Sequence, residues 1–209
     1  MRKSHRIIYE YQRRMLDLMF YIRNIYSISN KIAGRKMFSD PIRKTTYYSN
    51  EYNEVNLKVN DGMWAWDFIY SYLFEFHFGS TVDKDTGLEY SFSVVQVSDT
   101  GYFLSSQNNK SRIDTNSFYD PEESESVLIF VFEAIPLKTS KYYWGIEDSI
   151  NHLASTDETE EILKRDGKGV YIACKYSIEN FIDKDSTDKV LNSFARLIAN
   201  NTKIKLKSL

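Results

Sequence analysis

The chain has 209 residues, with 27 Lys/Arg against 29 Asp/Glu for a net charge of −2, 42% hydrophobic and 15% aromatic residues. That length and apolar share are enough to bury a sizeable core, and they exclude a generally disordered chain. The single cysteine excludes an intrachain disulfide and fits a reducing compartment.

The charge is unevenly spread. Residues 1–45 hold eleven Lys/Arg against Glu10, Asp17 and Asp40, a surplus of eight, and the rest hold sixteen basic against twenty-six acidic residues, a deficit of ten. Such asymmetry marks a contact with nucleic acid, with a membrane or with another subunit, or a basic part lying on an acidic one. Met1-Arg2-Lys3-Ser4-His5-Arg6 is not followed by an apolar stretch of signal-peptide length, and nowhere do about 18 uncharged apolar residues run together. The sequence therefore predicts a cytoplasmic protein with no membrane partner.

In chain order, residues 5–33 predict one long helix. Ile8, Tyr11, Met15, Leu18, Ile22, Ile25, Ser29 and Ile32 alternate spacings of three and four, Ile7, Met19 and Tyr26 widen the stripe, and Gly34 is the expected terminator. Residues 35–54 are polar and predict a connection. Val55, Leu57 and Val59 alternate with polar residues into Asn60-Asp61-Gly62, a hairpin signal.

Between Trp64 and Phe78 every second residue is aromatic: Trp64, Trp66, Phe68, Tyr70, Tyr72, Phe74, Phe76 and Phe78. In an extended chain these rings share one face, and so much exposed aromatic area would aggregate, so the stripe predicts a wall of the core. A helical reading of 64–74 instead aligns Asp67, Ser71 and Glu75 on a thin polar stripe; β-propensity and the flanking turns favour strand. A loop follows at 79–87. Leu88, Tyr90, Phe92 and Val94 then alternate, and the shift of phase to Val95 and Val97 suggests a bulge. Asp99-Thr100-Gly101 predicts a further turn, and 105–126 a long loop ending in the acidic Asp120–Glu125 run.

Val127–Phe132 reads as a strand covered on both faces, Tyr142-Tyr143-Trp144 as a short strand, and Val170–Cys174 as a second buried strand. Residues 147–165 look helical only in pieces, with Thr156 as a cap. The last helix starts at Asp185 or Ser186 and buries Val190, Leu191, Phe194, Leu197 and Ile198. The predicted fold class is α+β: a twisted antiparallel meander with a long N-terminal and a shorter C-terminal helix packed on one face. The chain reads as one domain over 1–209, with a basic helix in 1–34, the meander in 55–136, and mixed strand and helix in 141–209.

Three groups of residues carry candidate chemistry. If the 79–87 loop closes symmetrically, His77 faces Glu89 and Glu75 faces Ser91; with Asp67 these form an acid–His cluster suited to general-base or metal-assisted hydrolysis. Arg6, Arg13, Arg14, Arg35, Lys36, Arg43 and Lys44, with Tyr47, Tyr48 and Tyr52 nearby, are the candidate nucleic-acid contacts. The basic helix and the acidic 105–126 loop are candidate contacts for a protein partner or a homo-oligomer. No Gly-rich phosphate loop, HExxH or Cys/His zinc spacing occurs, Glu133 lacks the Glu-x-Lys spacing of metal-dependent nucleases, and Cys174 reads as a buried inert thiol, so no cofactor or resident metal is implied. Lys/Asn/Ile/Tyr-rich usage suggests a bacterial or phage source. The expected function is a non-catalytic binding or assembly subunit of a multi-protein system, with nucleic-acid binding and metal-assisted hydrolysis as alternatives.

Overall fold

In the computed structural model residues 2–30, 32–36, 57–59, 73–104, 118–137, 146–167 and 169–206 are described, with the backbone alone for 35–36 and 57–59. Outside them lie Trp64, Trp66, Phe68, Tyr70 and Tyr72, the Asn60-Asp61-Gly62 turn, Asp67, Arg43, Lys44, Tyr47, Tyr48, Tyr52, the Tyr142–Trp144 segment and residues 105–117.

Helix α1 covers Arg2–Ile25, and strands β1 (Ile32–Lys36) and β2 (Leu57–Val59) follow. Strands β3 (Leu73–Val82) and β4 (Leu88–Val97) form a hairpin, and a short helix α2 (Gly101–Leu104) leads away from it. Strand β5 (Val127–Pro136), helix α3 (Ile146–Ser155), strands β6 (Glu160–Arg165) and β7 (Gly169–Ser177) and helix α4 (Lys184–Thr202) complete the chain. The strands form an open seven-stranded sheet in the order β2-β1-β3-β4-β5-β7-β6, antiparallel at every pairing. This is the α+β architecture predicted, with β3-β4-β5 as the meander.

Alternation divides the strands into two faces. Even-numbered Phe74, Phe76, Phe78, Phe92, Val94, Leu128, Phe130, Phe132, Ile172 and Cys174 form one core with Met15, Leu18, Met19 and Ile22 of α1 and Leu191, Phe194 and Ile198 of α4. The three described rings of the aromatic stripe are fully buried there. Odd-numbered Leu73, Val95, Val97, Val127, Ile129, Val131, Tyr171 and Ala173 form a second core under Ile146, Ile150 and Leu153 of α3. Phe92 is the hub of the first: its ring lies 4.8 Å from Phe78, 5.7 Å from Tyr26, 5.7 Å from Phe130 and 5.8 Å from Phe194.

Several local expectations are corrected. α1 ends at Ile25, not near Gly34: Ser27 adopts φ +52, and the chain turns into β1, where Gly34 pairs with Phe76 and Leu57. Ile32 is buried as a strand residue rather than on the helix seam. β2 pairs with β1, while the Asn60-Asp61-Gly62 hairpin signal lies outside the described residues. Val95 and Val97 reflect no bulge, since β4 pairs with β5 without interruption from Leu88 to Val97; both parities are apolar because both faces are covered. The irregularity sits in β3 between His77 and Ser80, where Gly79 has φ +80 against Asn30, whose amide donates to the Ser80 carbonyl at 2.9 Å.

Of the segment expected to be helical in pieces, the first part is helix α3 but 160–165 is the strand β6, and Thr156 sits beyond the end of α3, donating to the His152 carbonyl. The N-cap of α4 is Asp183, earlier than Asp185 or Ser186, and its carboxylate accepts the Ser186 N–H at 2.7 Å. Tyr26 donates to the Leu191 carbonyl at 2.8 Å and Tyr21 to Asp188, so the two terminal helices are tied side by side on the sheet.

The glycines separate two costs of a side chain. At Gly87, φ is +68 and nothing lies near an added Cβ; at Gly169, φ is +111 and the Cβ would stand 2.0 Å from the Ala134 carbonyl oxygen of β5. Gly87→Ala should cost about 1 kcal/mol of backbone strain. Gly169→Ala should cost about 3 kcal/mol or more, because β7 must move off β5. Denaturant unfolding of both variants measures the difference, and equal costs would refute the close approach.

Candidate functional site

The face of the sheet under α3 is apolar at the Leu73–Val97–Val127 end and polar farther along. Glu75 and His77 on β3, Ser91 and Ser93 on β4, Glu133 on β5 and Tyr171 on β7 all occupy odd positions of that face. His77 pairs directly with Ser93, Ser91 with Glu133, and Glu133 with Tyr171. The register follows from β3 reaching Val82: the turn tightens to 83–87, with the Asp83 carboxylate accepting the Thr86 N–H at 2.8 Å and the Thr86 hydroxyl at 2.6 Å.

The predicted pairings are thereby corrected. His77 does not face Glu89, which pairs with Val82 and Ile135 near the hairpin end, and Glu75 faces Val95 rather than Ser91. The symmetric-loop argument failed because β3 continues through the Gly79 bulge, moving the whole partner strand. Glu75 and His77 do come together, through Ser93. The Ser93 hydroxyl donates to Glu75 Oε1 at 2.8 Å and lies 2.8 Å from His77 Nδ1. Since that hydroxyl has one hydrogen, Nδ1 of His77 is the donor in its bond, which sets the ring tautomer. Ser93 is 3% exposed and Glu75 2% exposed.

Beside this bridge the Ser91 hydroxyl donates to Glu133 Oε2 at 3.3 Å. Burial pushes the Glu133 carboxyl up to about 7; Ser91 pulls it down, and the Glu75 charge adds to the rise. Burial also raises the Tyr171 hydroxyl, with Ser149 of α3 opposing and the charges of Glu133, Glu161 and Glu75 adding to the rise. Sequence reasoning had Ser91 on this face but missed Ser93, Ser149, Glu161 and Tyr171. The odd-position polar residues within otherwise apolar strands were the available signal.

Chemically this layer holds a proton near neutral pH on Glu133 and orients one imidazole. Among the described residues no group of three His, Cys, Asp or Glu is arranged to hold a metal ion. Ser93, whose hydroxyl lies beside His77, is 3% exposed and donates its proton to Glu75 rather than to the imidazole. Cys174 lies in the opposite core, where burial, Glu160 and the loss of solvent push its thiol up to about 12, far from a reactive thiolate.

The basic candidates lie elsewhere. Arg6, Arg13 and Arg14 are exposed on α1, and Arg35 and Lys36 lie on β1, paired in register with Glu75 and Phe74. Among the described residues of the long loop, Asp120, Glu122, Glu123 and Glu125 are exposed. Both sets lie at one end of the sheet. Gln96 of β4 donates to Gln12 of α1 at 3.1 Å, and the Tyr11 hydroxyl lies among Gln96, Ser98 and Ser126. Ser126 donates to the Ser98 carbonyl at 2.6 Å, and Thr100 and Glu125 exchange hydrogen bonds at 2.9 and 3.0 Å. From Gln12 onward α1 packs on the sheet; its earlier turns overhang this end.

The fold and these surfaces define an open antiparallel α+β protein with a buried polar layer and a charged, overhanging helix, and no described helix is long and apolar enough to cross a membrane. The chain belongs to the family described as PM0109, whose profile matches residues 1–203. No match was found among curated proteins or among solved structures.

The buried layer makes two expectations. Wild-type stability should fall as pH rises from about 4.5 to about 7, because the unfolded Glu133 carboxyl ionises over that window while the folded one keeps its proton. The loss should be of order 3 kcal/mol and level off above the window. Glu133→Gln should remove this slope, and urea titrations across pH that superpose for both proteins would refute the burial of this carboxyl. Ser93→Ala should cost about 1–3 kcal/mol by leaving Glu75 without the hydroxyl donor, read by the same unfolding assay.

Proposed function

We propose that this chain is a non-catalytic binding or assembly subunit of a cytoplasmic bacterial or phage multi-protein system, and that it contacts its partners through the N-terminal turns of α1 and the acidic end of the 105–126 loop. One observation carries the reading. Residues 2–8 of α1 are all exposed, and Ile7 and Ile8 keep 69% and 41% of their surface in water within a basic segment. A helix of 24 residues is about 36 Å long, and its first buried residue is Gln12. Among the described residues, these two adjacent isoleucines belong to neither hydrophobic core. They fit the apolar centre of an interface with a charged rim.

A nucleic-acid role draws less support. Glu10 and Asp17 interrupt the exposed arginine face of α1 at helical spacing, and the acidic 120–125 turn stands at the same end of the sheet, where it would repel phosphate. Metal-assisted hydrolysis draws less still, because Glu89 stands apart from the His77–Ser93–Glu75 bridge.

The test uses Ile7→Glu with Ile8→Glu. Both side chains are exposed, so the fold should keep its stability to within about 0.5 kcal/mol. Light scattering of the purified chain, alone and with the products of neighbouring genes, should show wild-type assemblies that the double variant does not form. Assemblies of unchanged mass would sink the proposal.

A further inference from the structure

We infer that this chain pairs with a second copy of itself about a two-fold axis at the overhanging end, the basic turns of α1 in each copy lying against the acidic 120–125 turn of the other; the inference rests on the binding role proposed above and names its partner. The first ground is placement. The Gln12–Gln96 bond and the position of Tyr11 by Ser98 and Ser126 put the helix overhang and the acidic turn at the same end of one sheet. A two-fold contact joins the same patch on both molecules, so a patch with both signs side by side is self-complementary when turned on itself.

The second ground is the absence of internal neutralisation. Among the described residues, Arg2, Lys3, Arg6, Arg13 and Arg14 take part in no ion pair, and neither do Asp120, Glu122 or Glu123. On the acidic turn only Glu125 meets a cation, Lys175, at 3.8 Å. Among the described residues, the positive charge of this part of α1 is thus not cancelled by the acidic turn within one chain.

The third ground is the helix itself. α1 has no acidic residue in its first turn and carries Arg2, Lys3 and Arg6 at the positive end of its dipole, an unfavourable arrangement in isolation. An acidic turn from a second copy relieves both the side-chain charges and the dipole. Ile7 and Ile8, between the charged groups, supply the apolar area that charge complementarity alone does not.

Charge-reversed chains test this. One variant carries Arg6→Glu, Arg13→Glu and Arg14→Glu; the other carries Glu122→Lys and Glu123→Lys. All five side chains are exposed, and circular dichroism melts check that both variants fold. Wild type should elute at twice the monomer mass by light scattering, and its dimer should weaken as salt rises. Each variant alone should run as a monomer, because like charges then face each other at both contacts. An equimolar mixture should recover the two-chain mass, and so should a chain carrying all five substitutions. Wild type at monomer mass at every concentration, single variants that remain dimeric, or a mixture that stays monomeric would each overturn the inference. If wild type is monomeric yet Ile7→Glu with Ile8→Glu abolishes binding to a neighbouring gene product, the self-pairing falls and the binding role stands.

Discussion

Phe92, at the centre of β4, touches rings from β3, from β5, from α4 and from Tyr26 just past the end of α1. Its neighbours along the strand, Ser93 and Val95, point the other way, toward the layer covered by α3. The central strands are therefore buried on both sides, and the rest of the architecture depends on that. Once neither face meets water, every odd position must be apolar or must find a hydrogen-bonding partner. At one end the odd row meets this with Val95, Val97, Ile129 and Val131. Farther along it meets it with hydroxyl–carboxylate pairs.

The polar half of that layer works as a register lock. Ser93 contacts Glu75 and His77 at once, and Ser91 contacts Glu133, so a slip of one residue in β4 would turn both serines toward the aromatic core. The cost of holding Glu133 in this layer appears as a carboxyl that keeps its proton to about pH 7. The hydroxyls around it are themselves bonded to carboxylates and to His77, which ties the side chains of neighbouring strands together.

Charge is organised on a different principle. Along the chain the first 45 residues are basic and the remainder is acidic on balance; in space the opposite signs return to one end of the sheet. There α1 has run past the last strand residues it can pack against, and the acidic turn enters β5. The exposed isoleucines between them make this end the least self-sufficient part of the described surface. The three-dimensional layout thus brings the basic start of the chain and the acidic 120–125 turn to the same end of the sheet.

What the sequence determined by itself follows from short-range periodicity. Alternating rings at Phe74, Phe76 and Phe78, the continuous apolar run of β5, Val170–Cys174 in β7 and the face of α4 each repeat over a few residues, and that repeat dictates which side chains share a side. The α+β class and the placing of both terminal helices on one face follow from those patterns. Tertiary structure alone decided the rest. The reversal at Ser27 and the use of Ile32–Lys36 as a strand depend on the open edge of β3, since an i, i+3, i+4 pattern can be outweighed by sheet hydrogen bonds. The existence of α3 and β6 within a polar segment depends on the uncovered second face. The meeting of His77 with Ser93 rather than Glu89 depends on a bulge at Gly79, whose contact with Asn30 spans 49 positions of sequence. Which residues meet across a sheet is set by strand length and bulges, and no local repeat encodes those.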